Sequence, residues 1–430
     1  MLRASSKKIN ITPPIGLRMS GYEERKHGSI GIKDELYANI LVLDNSITKV
    51  ALVTMDVIGV DKVFMQYVRD LVSSKTDIPR DAIFVNASHT HSGPEAARFG
   101  DMGLISRRID PNPIDSAYYV LLPDMVANGI VWAYNELQPA KLGIVQGELK
   151  GLGSNRIDAD LYIDDTVTVL RVDRADNEPL ALMAFYSCHP TILNFNNYYY
   201  SGDFISYYQK EVEKVFEGAV ALYAQGTAGN ISTRHTRKGQ GFEEAKRMGL
   251  LLAGEVIRLA ALADTTDDVK LEAFTEKLIL PTKTFESDEV CEQKIREAEE
   301  KIAQLKEENA PQNIQRTAYV EWQGATRYYR FKKMVNFASI ETEMQVIRIG
   351  DWKIITTPGE FFAEIGRSIR QLDPKGQTLV TGYTNGYIGY VPDHQTFMAS
   401  VGYELNTALV SEDAESITVS VARELINKLS

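Results

Sequence analysis

Cysteine and tryptophan are scarce in this 430-residue chain, which holds two cysteines, Cys188 and Cys291, and three tryptophans. Two thiols in a chain of this length make no disulfide framework. Positive charge is in deficit: 47 Lys and Arg stand against 58 Asp and Glu, a net charge of −11. That balance argues against a general nucleic-acid binder, which would carry a basic face. No run approaches the ~18 apolar residues of a membrane helix, so no transmembrane segment is expected. The start, Met1–Gly16, is polar and basic and lacks an apolar signal core. It predicts a cytoplasmic protein as given, or a secreted or periplasmic one where a signal has been removed. Low-complexity linkers are missing as well. With 44% hydrophobic and 24% charged residues, the composition is that of an ordinary globular chain. Length alone suits two or three domains of about 150 residues or one large unit. We read 1–430 as one domain.

Apolar β-type runs alternate with helical stretches, so the expected class is α/β, or mixed α+β, with mixed sheets and flanking helices. Three segments share one layout. Leu41–Asp44 with Val50–Asp56, Val167–Val172 with Leu180–Cys188, and Met344–Ile349 with Trp352–Thr357 each read as a hairpin around an Asn, Asp or Gly turn. Each second strand delivers a polar residue at or just past its end: Asp56, His189, Glu360. An internal duplication would produce this, and so would the general likeness of hairpins. Spacing predicts helices over 61–73, 116–137, 205–216, 242–262, 360–371 and 412–429. In Ser287–Ala310 the residues Cys291, Ile295, Ala298, Ile302 and Leu305 form a narrow 4-3-4-3 stripe on a charged helix. With a second helix over Pro311–Val335, the span 285–335 reads as an inserted helical hairpin. It could cover a site or join two copies in a homo-oligomer.

The chemistry-bearing motifs each follow an apolar run. Ala82–Pro94 is a strand ending in His89-Thr-His91 and a Gly-Pro turn. Residues i and i+2 of a strand share a face, so both imidazoles should project together, and imidazole is a common zinc ligand. His189 ends a second strand and reads equally as a satisfied core histidine or a ligand. Its neighbour Cys188 should point away, into the core. Gln225–Ser232 is Gly-rich and suits either a strand-to-helix turn or a cradle for an anion. It lacks the Lys-Ser/Thr ending of a P-loop and the spacing of a dinucleotide loop. Glu360, after Thr357-Pro-Gly, should open a helix, as a simple first-turn acid or as a third metal ligand. Gly382–Tyr390 offers three tyrosines for a binding wall or for packing. Ligands of α/β sheets bind beyond the carboxyl ends of strands, so near-parallel strands would gather these motifs at one edge. Two or three His plus a Glu with one open position is the makeup of a catalytic zinc site.

Taken together and in order, Ser88–Pro94, Cys188–Pro190, Gln225–Ser232, Pro358–Phe361 and Asn385–Tyr390 resemble the catalytic domain of the neutral/alkaline non-lysosomal ceramidases over about residues 8 to 428. The resemblance implies a zinc amidase that splits ceramide into sphingosine and a fatty acid, with one zinc per chain. It implies His89, His189, Glu360 and Tyr390 as the zinc ligands and His91 as acid/base. Arg156 would stabilise charge or position substrate, and Tyr403 matches a second family tyrosine. Ser232 matches a serine that acts there as nucleophile or orienting group. The chain departs from the family at Asn230, where Asp is usual, and the residues after Tyr403 leave no room for a C-terminal immunoglobulin-like domain.

The expected mechanism is attack of zinc-activated water on an amide carbonyl, with Tyr403 and Arg156 on the oxyanion and His91 protonating the leaving amine. The expected partner is a small-molecule or lipid amide, with no nucleic acid. Three other readings are a zinc hydrolase for a different polar amide or ester such as an N-acyl amino sugar, a non-catalytic ligand-binding relative, and an interaction protein organised by the charged hairpin. His27, His235 and His394 receive no role.

Overall fold

All three expected hairpins form in the computed structural model, which describes residues 1–96, 113–399 and 402–429. Tyr37–Asp44 pairs antiparallel with Lys49–Met55, Thr166–Arg174 with Pro179–Tyr186, and Ser339–Ile349 with Trp352–Thr356. At the first turn the Asn45 side chain accepts from the amides of Ile47 and Thr48 at 3.0 and 2.8 Å, an Asx turn that reverses the chain.

Each hairpin continues in the same way. A helix follows the second strand, and a further strand returns parallel to it. The helices are Lys62–Lys75, Phe204–Val215 and Ala363–Arg370. The returning strands are Ile83–Ala87, Val220–Gln225 and Thr378–Thr381. One strand–strand–helix–strand unit therefore occurs three times. A parallel pair joined by a crossover has both carboxyl ends at the same edge, so each unit sends two loops to one side.

Two of the units belong to an eight-stranded sheet. Its spatial order is Val220–Gln225, Pro179–Tyr186, Thr166–Arg174, Gln138–Glu148, Arg3–Asn10, Tyr37–Asp44, Lys49–Met55, Ile83–Ala87. Its halves join through only two register pairs, Arg3 with Pro139 and Ala4 with Gln138. The edge strand Val220–Gln225 also lies against strands 37–44, 49–55 and 83–87, so the two ends of the sheet meet. The third unit belongs to a four-stranded sheet ordered Leu271–Pro281, Ser339–Ile349, Trp352–Thr356, Thr378–Thr381. The largest core cluster fills the first sheet with Leu41, Val53, Phe84, Val85, Met183 and their neighbours, all but excluded from water.

Buried amides clamp the units together. Asn86 Oδ1 accepts from the Gln225 amide at 2.8 Å, and its Nδ2 reaches Gln225 O, Gly382 O and Thr384 Oγ1 at 3.1, 2.8 and 2.9 Å. Gln225 Nε2 donates to Ser88 O and Cys188 O, while its Oε1 accepts from the Cys188 amide. Asn385 binds both backbone groups of Val85. One residue from each unit thus holds a strand end of another.

The helical hairpin consists of Asp288–Glu307 and Gln312–Met334. It is inserted between Leu271–Pro281 and Ser339–Ile349, which pair in unbroken register from Leu271 with Ile349 to Pro281 with Ser339. Between residues 289 and 309 the stripe Cys291, Ile295, Ala298, Ile302 and Leu305 is turned inward and every other residue is exposed. No helix among the described residues is long and apolar enough to cross a membrane.

One expected element differs. Glu360 does not open a helix. Glu360–Phe361 forms a two-residue strand parallel to Tyr390–Val391, with Glu360 in register with Tyr390. The amides of Glu360 and Phe362 donate to Gly389 O and Val391 O, so the helix begins only at Ala363.

Candidate metal centre and cleft

The strand carrying the first motif ends at Ala87, before either histidine. His89 takes a positive φ of 65°, a region where a residue with a Cβ is uncommon and strained. Strand alternation is therefore not what unites His89 and His91. The left-handed turn does so, and leaves their Nε2 atoms 3.2 Å apart. The His91 ring fits only because Gly21 faces it: a Cβ there would come within 2.4 Å of the imidazole.

His89 and His189 are anchored alike. His89 Nδ1 meets Ile58 O at 2.6 Å, and His189 Nδ1 meets Ala228 O at 2.6 Å. A carbonyl can only accept, so Nδ1 carries the proton and each Nε2 presents a lone pair inward. Both lone pairs face one carboxylate oxygen: Glu360 Oε2 lies 3.0 Å from His189 Nε2 and 3.5 Å from His89 Nε2. His91 lacks such an anchor, since its Nδ1 is buried without a hydrogen-bond partner among the described residues. The ligand atoms of His89, His91 and His189 lie within 4.8 Å of one another, the one His/Cys/Asp/Glu group of metal-binding geometry among the described residues. Burial, and then the Arg156 charge, lowers the His189 imidazole to about 4, which keeps it neutral and available as a ligand. Burial alone would raise the Glu360 carboxyl, whereas His89 and His189, when protonated, hold it well below the usual range.

Around this cluster the tyrosines and Arg156 are each held by a specific partner. Tyr387 donates its hydroxyl hydrogen to Glu360 Oε1. Arg156 Nη2 donates to Tyr390 OH at 2.9 Å and to Gly229 O at 2.6 Å, and its Nε pairs with Glu404 at 2.7 Å. Gly229 permits this packing, because a Cβ there would sit 2.3 Å from Glu360 O. Arg327, from the inserted hairpin, donates to Tyr403 OH at 2.6 Å and pairs with Glu23. The backbone of Ser232 bridges that of His189. Its Oγ accepts from the Arg234 amide at 3.3 Å, and Ser232 also lines the cleft described below. Cys188 is buried and its thiol is pushed up by burial.

All eight sequence-selected residues line or adjoin one site. His89, His91, Arg156, Ser232, Glu360, Tyr390 and Tyr403 line a single cleft of about 2710 Å³, and His189 lies beneath it. Asn230 also finds its reason: its Oδ1 accepts from the Ala363 amide and its Nδ2 donates to Glu364. An Asp there would face a second carboxylate. Sequence reasoning missed Glu404, Arg327 and the clamp Asn86, and it picked out Tyr387 and Gln225 only as members of their motifs, without these contacts. A polar residue inside the apolar run Ile83–Ala87 was the available signal for Asn86. Glu404 and Arg327 act on partners 248 and 76 residues away, and no local pattern marks them.

Comparison with known proteins agrees with this layout. The family model for the N-terminal part of neutral/alkaline non-lysosomal ceramidases matches residues 6–240. Neutral ceramidase A of Dictyostelium discoideum is 26% identical over 201 residues, 40% of this chain and 27% of that protein. Neutral ceramidase of Mycobacterium tuberculosis is 24% identical over 170 residues, 34% of this chain and 26% of that protein. The chain thus matches about a quarter of the length of these curated relatives. Two solved structures align over 100% of the chain: a ceramidase complexed with C2 (TM-score 0.77, 17% identity, 76% of that chain) and neutral ceramidase from Pseudomonas aeruginosa (TM-score 0.75, 18% identity, 75% of that chain). At that identity the likeness is one of fold.

Proposed function

This chain belongs to the neutral/alkaline non-lysosomal ceramidase family, and from that premise we propose that it is a zinc-dependent amidase cleaving the N-acyl bond of ceramide or a ceramide-like amide. The observation that carries the reading is the pair of carbonyl-anchored imidazoles, His89 and His189, aimed at one oxygen of Glu360. Tyr390, in register beside Glu360, completes a set of two nitrogens and two oxygens that suits zinc. A metal bound there supplies a Lewis acid and lowers the pKa of water near it.

The chain's own groups do the rest. Arg156 fixes the Tyr390 phenol by donating to its oxygen, and Glu404 in turn fixes the guanidinium. Because Arg327 donates to Tyr403 OH, the Tyr403 hydrogen is free to meet the amide oxygen as negative charge develops there. A well-placed donor of this kind contributes about 2.7–4 kcal/mol. His91, facing the cleft without a carbonyl anchor, takes a proton at Nε2 from the attacking water and returns it to the leaving nitrogen, which departs as a neutral amine. Ser232 orients water or substrate from the cleft wall.

A second reading follows from the 3.2 Å between the His89 and His91 nitrogens: all three histidines bind the metal and the proton is handled elsewhere. Elemental analysis, paired with hydrolysis of ceramide and shorter N-acyl amides before and after chelation, tests both. The expected result is about one zinc per chain and chelator-sensitive cleavage. His89→Ala and His189→Ala should lose metal and activity, whereas His91→Ala should keep the metal and lose rate. Metal loss in His91→Ala favours the three-histidine set, and full metal in either ligand variant refutes the proposal.

A further inference from the structure

The cleft is charged against the trend of the chain. The protein has a net charge of −11, yet the described lining carries eleven Lys and Arg against six Glu. Several of these cations are neutralised in place: Arg156 by Glu404, Arg316 by Glu24, Arg327 and Arg330 by Glu23. Three arginines are not. Arg25 donates to the carbonyls of Ser20, His91 and Asn197. Arg234 donates to Arg156 O at 3.1 Å and Arg237 to Thr191 O at 2.7 Å. None has a carboxylate within 4.0 Å among the described residues, although Glu24, Glu404 and Asp203 act on them from farther away.

Placement makes the trio pertinent. Arg25 grips the backbone of His91, Arg234 grips that of Arg156, and Arg237 lies beside the strand end that carries His189. Arg25 Nη2 is buried and has no acceptor among the described residues. Burial, and then the positive charge of Arg156, pushes the Arg234 guanidinium below its ordinary value, with Arg237 and Arg316 adding to the effect against Glu404. Arg234 is nonetheless exposed and Arg25 and Arg237 are half-buried, so their positive field is open to an anion that enters the cleft. Carbonyl contacts fix where each guanidinium points and leave its other N–H groups for an oxyanion.

We infer that the cleft selects an N-acyl substrate that also bears an oxyanion, a carboxylate or a phosphate, held by Arg25, Arg234 and Arg237 beside the metal cluster. The acyl-amide half of this inference rests on the amidase reading above. The anionic half stands on the three arginines alone.

Equilibrium binding to the zinc-loaded full chain carrying His91→Ala, which should keep the metal and lose turnover, separates the two by calorimetry. The probes are N-hexanoylglycine, N-hexanoyl-phosphoethanolamine and the neutral N-hexanoylethanolamine. At least one anionic probe should bind about tenfold or more tightly than the neutral one, as one good charge-assisted contact allows, and the better arm identifies the group. Arg234→Gln with Arg237→Gln keeps neutral donors in place and should bring the preference close to one. Equal binding, tighter neutral binding, no measurable binding of any probe, or a preference unchanged in the double variant each overturns the inference. Hydrolysis of the same probes by the parent chain reports on the amidase reading independently. Preference without cleavage of any probe removes the amidase reading and leaves the anion site. Cleavage of the neutral probe without preference does the reverse.

Discussion

Replacing Asn86 by Ala should cost far more than its size suggests. The side chain is fully buried and carries four contacts to two other units of the fold. Two of its acceptors keep other donors after the change: Gln225 O still receives the Gly382 amide, and Gly382 O the Thr384 hydroxyl. The Gln225 amide has no such reserve, because Asn86 Oδ1 is its acceptor. Orphaning a buried amide costs about 1–3 kcal/mol, and each net bond lost adds about 0.5–1.5 kcal/mol. With three further bonds lost, the sum is about 5 kcal/mol. Asn39 is the internal control. It lies in the same sheet, is equally buried, and its amide atoms have no hydrogen-bond partner among the described residues, so Asn39→Ala should cost much less. Urea unfolding of the metal-free proteins measures both, provided the transition is cooperative. Asn86 also stands three residues before His89, so its loss should loosen the left-handed turn and weaken zinc binding. An Asn86→Ala cost below about 1 kcal/mol, or one equal to that of Asn39→Ala, would refute the clamp.

Two further outcomes follow from other contacts. Arg327→Ala removes the donor that orients Tyr403 and should lower kcat by up to about 10²-fold, the lower bound for an oxyanion donor lost outright. Arg327→Lys cannot reach Tyr403 and Glu23 with a planar fork and should not restore the rate in steady-state assays. Asp56 sets a pH dependence. Burial pushes its carboxyl up to about 6, against the Tyr37 amide that opposes the shift. Between its unfolded value near 3.8 and about 6 the native state therefore holds a proton that the unfolded chain has released, and stability falls as pH rises through that window. The loss is about 3 kcal/mol and is complete above pH 6. Asp56→Asn should gain on the parent protein by about that amount between pH 4 and 7 in chemical unfolding. A pH-independent difference would remove Asp56 from the account.

The hairpins and helices were legible because their causes are local. Alternation, Asn and Gly turns and helical spacing lie within a dozen residues, and the five-residue stripe from Cys291 to Leu305 predicted which side of its helix turns inward. The convergence of motifs followed from their common place after apolar runs. What misled was decided at long range. Glu360 has the surroundings of a first-turn acid, but its backbone is claimed by Tyr390 and Gly389, 30 residues on. His89 and His91 meet as expected, yet through a positive φ that no periodicity encodes. The ion pair of Arg156 with Glu404 and the bond of Arg327 to Tyr403 join residues that share nothing in sequence beyond complementary chemistry.

The threefold unit explains why such a site can exist on these loops. A metal centre needs ligands held to a few tenths of an ångström, and loops alone seldom provide that. Here each loop that carries a proposed ligand leaves a strand held by a parallel neighbour, and buried amides tie the segments around it. His89 follows the strand of Asn86, His189 follows the strand that Gln225 grips at Cys188, and Glu360 pairs directly with the segment that Asn385 ties to Val85. The inserted hairpin enters at a different level. Its ion pairs Lys332 and Lys333 with Asp288 and Lys301 with Glu321 are solvent-exposed on at least one side and contribute little to stability. Its second helix lines the cleft and reaches the site through Arg327 to Tyr403, Arg316 to Glu24 and Arg330 to Glu23. The rigid units can thus hold His89, His189 and Glu360, the proposed ligands, in place while the hairpin, through Arg327, sets Tyr403, the tyrosine proposed to meet the substrate. Changes in the hairpin should accordingly alter rate and substrate choice and leave metal content intact.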